Sequence, residues 1–367
     1  MGLNTIPVPR AFDQVTAEWL SQVLGQGFPG LEILSAIVDP TMGHKPNKAR
    51  VHLTYNAVGR EAGLPATLVV KGTFNGYQSR GRIIDFANLA ELVSYRDVVP
   101  KIAINTPRLY YQAWEREPAE AVVMLFEDLA YRRPTYFPNG FSTLSYGQAA
   151  RLLTAMAEFQ AQTWNSPAFE AGGEWGPGTP VGETAERIRS DYFDILPTSE
   201  HWTTSVTSPR GAAMPRLLRD PVRMEEGWRR LVDLLSVHAK VLVHGDEHLG
   251  NLFIEPDGRP GFYDLLARGE SWPLGIARFL VPTLDVLDRR AWERPLLAGY
   301  LRDLERFGAP VPSFDEAWLA YRCATICPLM VWLNNSSAWQ PEATNTANAA
   351  RASAAVLDHD AFAMLGL

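Results

Sequence analysis

The chain has 367 residues, with 34 Lys and Arg against 41 Asp and Glu, a formal charge of −7. That length predicts two domains or one large two-lobed unit with ample core. A composition of 46% hydrophobic and 20% charged residues excludes a disordered or collagen-like chain, and the acidic balance argues against a nucleic-acid partner, which needs a basic footprint. The two cysteines, Cys323 and Cys327, are too few for a disulfide framework or a four-ligand zinc site. Their i, i+4 spacing predicts one helix face, and the expected compartment is reducing and cytoplasmic. The segment MGLNTIPVPRAFD lacks the charged and apolar regions of a secretory leader, and Ile6 stands where an N-myristoylation pattern needs Ser or Thr. The longest uncharged stretch, Cys323 to Pro341, carries two prolines and the run NNSS, too polar to span a bilayer. A soluble protein with no membrane partner is expected.

In chain order, Phe12, Val15, Trp19, Leu20 and Val23 predict a short amphipathic helix. Leu31–Asp39, Ala49–Ala57 and Thr67–Lys71 follow as strands, the second with Val51, Leu53 and Tyr55 alternating with His52 and Thr54. A helix is predicted over Arg82–Val98. Strands Arg108–Trp114 and Ala121–Phe126 come next, split by the turn EREPAE. The fold class predicted is α+β: an antiparallel-sheet lobe over 1–128, then a larger, mainly helical lobe over 129–367. In the second part, helices are expected over Ser145–Trp164, Thr184–Phe193 and Pro221–Ala239, with an exposed Gly/Pro/Thr-rich loop over Asn165–Val181. From about Ser271 the pattern is almost wholly helical. The literal G-x-G-x-x-G of Gly25–Gly30 follows a helix, contains Pro29 and leads into a strand. It therefore reads as a helix stop and not as a dinucleotide fingerprint.

One stretch of the helical half differs from its surroundings: VLVHGDEHLGNLFIEPDGRPGFYDLL. Val241–Val243 is a brief strand, and Leu252–Glu255 and Gly261–Tyr263 form a hairpin about Asp257-Gly258. His244, Asp246, His248 and Asn251 lie on the intervening loop, and Asp264 ends the hairpin. Phosphoryl transfer needs a carboxylate to take the proton of the attacking hydroxyl, and oxygen ligands for Mg²⁺. Asp246 is the candidate base; Asn251 and Asp264 are the candidate metal ligands. H-x-D-x-x-x-x-N … D has the order and spacing of protein-kinase catalytic and metal loops. Five matched positions arise by chance with odds on the order of 10⁻⁴ in a chain this long.

HGDEHLGN with its following hairpin resembles the aminoglycoside phosphotransferase and choline kinase superfamily, a kinase-like fold, and most resembles the ecdysteroid-kinase-like branch. The resemblance covers about residues 30–290. It implies that Lys71 in LVVKG contacts phosphate, that Glu91 in ELVSY pairs with Lys71, and that VVMLFEDLA is the hinge strand, with backbone groups at Glu127 and Leu129 meeting the nucleotide base. The turn PTMGHKPNKARV would cover the phosphates, with Gly43 its one glycine. His244 and His248 support the loop. ATP is the implied nucleotide, with GTP possible, and Mg²⁺ the implied metal. The sequence departs from the family at two places. Gln160 stands where a His is frequent, and Gly275 in LGIARFL stands where relatives carry a second acid that braces the catalytic loop.

Other readings compete. Asp246, Asn251 and Asp264 could be simple turn-formers. His244, Asp246 and His248 could be a transition-metal site of a hydrolase. The chain could be a nucleotide-binding pseudokinase. For the acceptor, Trp318, Tyr321 and Trp332, with Thr325 and Trp339, could form an aromatic wall for an apolar or quaternary-ammonium molecule, or could be helix core. Six arginines between Arg210 and Arg230 could be a solvated face or a receiver for the phosphates of a hydroxyacyl-CoA thioester. The predicted activity is ATP- and Mg²⁺-dependent phosphorylation of a hydroxyl on a small, fairly apolar molecule.

Overall fold

The structure is a computed structural model that describes residues 6–40, 42, 47–74, 82–116, 121–132, 135–190, 200–337 and 339–367. The chain forms two compact units: residues 1–96 with 106–135, and residues 97–105 with 136–367. Gly43 and most of the turn around it lie outside the described residues.

The first unit is built on five antiparallel strands in the order β1-β2-β3-β5-β4: β1 (Ile33–Asp39), β2 (Lys48–Tyr55), β3 (Thr67–Gly72), β4 (Leu109–Glu115) and β5 (Ala121–Glu127). On β2 the alternation is realised, with Ala49, Val51, Leu53 and Tyr55 buried between partly exposed neighbours. All seven residues of β5 are buried, between β3 and the edge strand β4. Helix α1 (Ala17–Gly25) places Trp19, Leu20, Val23 and Leu24 in one core with Val51, Leu53, Leu68 and Val70. It starts where Thr16 Oγ1 accepts from Trp19 N at 3.1 Å, a side-chain N-cap. Helix α2 (Ala57–Glu61) follows β2, α3 (Arg82–Val93) precedes a π-helical turn over Ser94–Val98, and α4 (Leu129–Arg132) follows β5. Gly30 leads directly to β1, so Gly25–Gly30 is a helix stop and turn.

The expected division at 128/129 differs from the observed one in two respects. The first unit runs to 135, and residues 97–105 belong with the second. The reason is a row of contacts made by that segment. Trp175 Nε1 donates to the Asp97 carbonyl at 3.2 Å, Ala103 N to Gln162 Oε1 at 2.9 Å, and Asn105 Nδ2 to the Pro260 carbonyl at 3.0 Å.

The second unit is mainly helical. In chain order it holds α5 (Tyr146–Gln162), α6 (Pro180–Ile188), α7 (Glu200–Thr207), α8 (Pro209–Ala212) and α9 (Pro221–Leu235). The later helices are α10 (Trp272–Thr283), α11 (Val286–Arg306), α12 (Phe314–Ala324), α13 (Ile326–Asn334), α14 (Glu342–Asp358) and α15 (Ala361–Met364). Helix α6 begins four residues before its expected start because Thr179 Oγ1 accepts from Gly182 N at 3.1 Å and Pro180 opens the first turn. Cys323 and Cys327 are both buried but lie on successive helices, α12 and α13, which break at Thr325. Pro328 has no N–H to donate to the Ala324 carbonyl, so the single helix face is interrupted. Two small antiparallel pairs sit among the helices: β6 (Lys240–Val243) with β9 (Arg268–Ser271), and the hairpin β7 (Leu252–Ile254) with β8 (Pro260–Phe262). Among the described residues no helix is long and apolar enough to cross a membrane.

Candidate active site

The polar block of the second unit starts at β6. Thr163 Oγ1, at the end of α5, accepts from Leu242 N at 2.9 Å, and Asn165 Oδ1 accepts from Lys240 N at 3.0 Å, so the strand enters the loop anchored. His244 is buried at its end. Its Nδ1 accepts from Asp246 N at 3.2 Å and its Nε2 lies 3.0 Å from the Tyr263 carbonyl. That pairing defines a neutral ring protonated on Nε2. Burial pushes the His244 pKa below its ordinary 6.5, against the opposing pull of Glu247 and Asp246. His244 is thus a fixed strut against the Asp246 backbone.

Asp246 is half-exposed, its side chain 40% accessible. Asn251 Nδ2 donates to its carboxylate Oδ2 at 2.8 Å and to its carbonyl at 3.0 Å. His248 Nδ1 accepts from Gly250 N at 3.0 Å, so Nε2 carries the proton and faces Asp246 Oδ2 at 3.4 Å. With its amide nitrogen committed to Asp246, Asn251 is left with Oδ1 as the end able to meet a cation. Asp264 follows β8 with φ 56°, one of three non-glycine residues in the left-handed region among those described. Such strain is sparsely populated and collects at functional sites. Two backbone bonds hold it against the loop: Tyr263 N to the Asn251 carbonyl at 3.1 Å and Leu266 N to the His244 carbonyl at 2.9 Å. Asp246, Asn251 and Asp264 therefore lie on one strand-loop-hairpin segment held together by these bonds. A carboxylate and an amide oxygen are hard donors that suit Mg²⁺, which takes few protein ligands and leaves the rest to phosphate and water. Among the described residues no group of three or more His, Cys, Asp or Glu is arranged to hold a metal.

The sequence reading passed over a charged chain beneath this loop. Glu247, fully buried, accepts from Gly245 N through Oε1 at 3.1 Å and pairs through Oε2 with Arg278 Nε at 2.7 Å. Arg278 Nη2 meets Glu270 Oε2 at 2.7 Å, and Glu270 Oε1 meets Arg268 Nε at 2.5 Å. Arg268 Nη1 donates back to the carbonyls of Gly245 at 3.2 Å and Leu266 at 3.1 Å. Burial pushes the Glu270 pKa up, but Arg268 and Arg278 outweigh it and hold the group below its ordinary 4.5. The sequence signal was an arginine inside the apolar run LGIARFL, a position that only a buried partner makes tolerable.

In the first unit Lys71 on β3 forms an ion pair with Glu91 on α3, both buried. The helix is tied to the strand by Asn47 Nδ2 donating to Asn88 Oδ1 at 3.2 Å and Asn88 Nδ2 to the Gly72 carbonyl at 3.4 Å. Glu127 is used within the sheet: its N–H donates to the Arg108 carbonyl at 2.8 Å and its carboxylate accepts from Arg108 N at 3.2 Å. Leu129 opens α4, which Asp128 caps by accepting from Ala130 N at 3.3 Å while pairing with Arg50 at 2.5 Å.

The aromatic residues divide. The Trp332 ring stands 5.4 Å from His248. Trp318 and Tyr321 instead stack on each other at 5.6 Å and pack on His359, with Tyr321 Oη donating to Glu293 at 3.0 Å. They belong to a buried cluster of α11, α12 and α14, because Tyr321 satisfies the Glu293 carboxylate there. Most of the arginines are likewise committed. Arg210 is buried on Glu342 and the carbonyls of residues 332 and 333. Arg219 reaches the Met214 carbonyl, Arg223 and Arg230 reach carbonyls of residues 365–367, and Arg229 pairs with Glu226. Arg216 is exposed and Arg229 pairs on the surface, so these two belong to a solvated face, while the other four are tied to carbonyls or to Glu342. Gln160, where relatives carry His, is buried and accepts from Tyr300 Oη at 2.5 Å.

No protein-family model and no curated protein sequence matches the chain. Solved structures to which it is similar include choline kinase LicA from Streptococcus pneumoniae, at 14% identity over 94% of this chain and 99% of that one, TM-score 0.48. Spectinomycin phosphotransferase APH(9)-Ia in complex with ADP and spectinomycin is 12% identical over 94% and 99%, TM-score 0.42. Choline kinase from Cryptosporidium parvum Iowa II is 10% identical over 95% of each, TM-score 0.45.

Proposed function

We propose that the chain is an ATP- and Mg²⁺-dependent phosphotransferase acting on a hydroxyl group of a small, fairly apolar molecule. The observation that carries this reading is the single segment on which Asp246, Asn251 and Asp264 are gathered, with the Asn251 amide fixed on the Asp246 carboxylate. Turn chemistry explains each residue alone but not one acid left half-exposed while its neighbours are pinned around it.

Asp246 accepts the hydroxyl proton as the acceptor oxygen attacks the terminal phosphorus. The bond from that phosphorus to its bridging oxygen breaks, and ADP leaves with the electron pair. Asn251 Oδ1 and Asp264 would hold Mg²⁺, which when bound neutralises charge across the phosphates. Lys71, held by Glu91, would steady the phosphates in the first unit. Because the transferred group is anionic, positioning and charge neutralisation supply most of the rate. The complete Asp/Asn/Asp set speaks against a pseudokinase.

The test is Mg²⁺-dependent release of ADP from ATP, and of GDP from GTP, over a panel of hydroxylated compounds. Release with at least one acceptor, lost in Asp264→Ala, is expected. Release that survives Asp264→Ala undiminished would overturn the metal assignment, and a Mg²⁺·ATP complex that forms but never turns over would favour the pseudokinase.

A further inference from the structure

We propose that Glu247, locked by Arg278, is the positioning residue that holds the loop in place for Asp246, doing from within the loop what an acid at position 275 of α10 would otherwise do. The inference rests on the phosphotransferase reading of the same site.

The geometry is a clamp on one residue. Both backbone groups of Gly245, the residue before Asp246, are held by the two ends of one charged chain. Glu247 takes its N–H and Arg268 donates to its carbonyl, with Arg278 and Glu270 joining the ends. The four charges alternate in sign and sum to zero, and their side chains are between 0% and 17% accessible. Gly245 needs that grip. It sits at φ +93°, and a Cβ there would come within 2.2 Å of the Leu266 carbonyl, so it must be glycine and is the most pliable link next to the base. A general base must reach the proton it takes at about 2.6–3.2 Å, and a displacement of about 1 Å costs roughly a hundredfold in rate.

Position 275 lies beside the same carboxylate. A Cβ on Gly275 would lie 3.3 Å from Glu247 Oε1, 3.2 Å from Val243 Cγ1 and 3.4 Å from Gln160 Nε2. The Glu247 carboxylate already borders the space that an aspartate at 275 would enter. Two carboxylates there would repel in a buried setting, so the loop acid and the helix acid exclude each other.

The experiment uses the full chain with ATP and Mg²⁺, water serving as acceptor, and reads three quantities: hydrolysis rate, Mg²⁺·ATP dissociation constant, and hydrogen exchange at the Gly245 amide. Glu247→Leu is expected to slow hydrolysis by about 10–100-fold, the range for residues that orient a reacting group. Nucleotide affinity should stay unchanged, and Gly245 exchange should accelerate. Glu247→Gln, which keeps an acceptor oxygen, should retain most of the rate, and adding Gly275→Asp to Glu247→Leu should restore both rate and protection. A merely structural role would lower affinity and rate together and would not be rescued from position 275. If Glu247→Leu does not fold, Glu247→Leu/Arg278→Met removes both charges and takes its place. Unchanged rate and unchanged exchange in a folded variant would overturn the inference. If the unaltered protein neither binds nor hydrolyses ATP, the functional reading fails instead, and Gly245 exchange still decides whether the clamp exists.

Discussion

Two buried charged clusters in the second unit are each built around a Glu–Arg pair and do different work. Around the loop, Glu247, Arg278, Glu270 and Arg268 end on backbone groups of Gly245 and Leu266. Near the end of the chain, Glu293 collects Arg289 at 2.8 Å, His359 at 3.0 Å and Tyr321 at 3.0 Å, and Arg289 also pairs with Asp358. The first cluster terminates on a loop, the second on other helices. A buried ion pair is weak evidence for net stability; what it ties together decides its consequence. The loop cluster fixes the backbone beside a half-exposed acid, whereas the α11–α12–α14 cluster fixes packing.

The contrast should break most sharply at its extremes. Asp246→Asn is expected to lower turnover by about 10²–10⁴-fold, the range for losing a general base, with an unchanged melting temperature and Mg²⁺·ATP affinity; steady-state rates and calorimetry measure both. Glu293→Gln should do the reverse. It leaves Arg289 and His359 buried without their carboxylate and should cost about 3 kcal/mol of stability in denaturant titration, while turnover per folded molecule stays the same. A Glu293 variant that loses turnover without losing stability would erase the distinction between the clusters.

The pH dependence separates them next. His244 has a depressed pKa in the folded chain because burial disfavours its charged form. Protonation therefore favours the unfolded state, so its stability contribution is complete above pH 6.5 and is lost as pH falls through the folded value. Glu293 is held below its ordinary 4.5 because His359 and Arg289 outweigh the opposing effect of burial, so its contribution is present above 4.5 and lost below. Melting temperature against pH should fall first below 6.5 and again below 4.5. His244→Gln should flatten the first descent, to which His238, also depressed by burial, contributes as well, and Glu293→Gln should flatten the second. The smallest effect belongs to Arg229→Ala. Its pairs with Glu226 and Asp233 are exposed, and no measurable change in melting temperature is expected.

What could be read from sequence follows the same division. The strands of the first unit and the hairpin were legible because alternation, an apolar run and Asp257-Gly258 are local signals. The block from His244 to Asn251 was legible because its polar residues crowd one short loop between apolar strands. Strand β9 was not, since Arg-Gly-Glu-Ser has no strand pattern and is extended only by pairing with β6. Glu247 and Arg278 lie 31 residues apart, so no window along the chain shows them meeting. Gly275 read as a missing brace, and only the fold reveals an acid already beside it.

The most direct measurement of the central claim is thermal unfolding of the chain with ATP, GTP and ADP, each with and without Mg²⁺. A ligand that binds only the folded state stabilises it by about 2.7 kcal/mol at a hundredfold excess over its dissociation constant. The account expects a nucleotide-dependent rise in melting temperature that grows with Mg²⁺ and loses that growth in Asp264→Ala. No rise with any nucleotide, or a rise indifferent to both Mg²⁺ and Asp264, would contradict it.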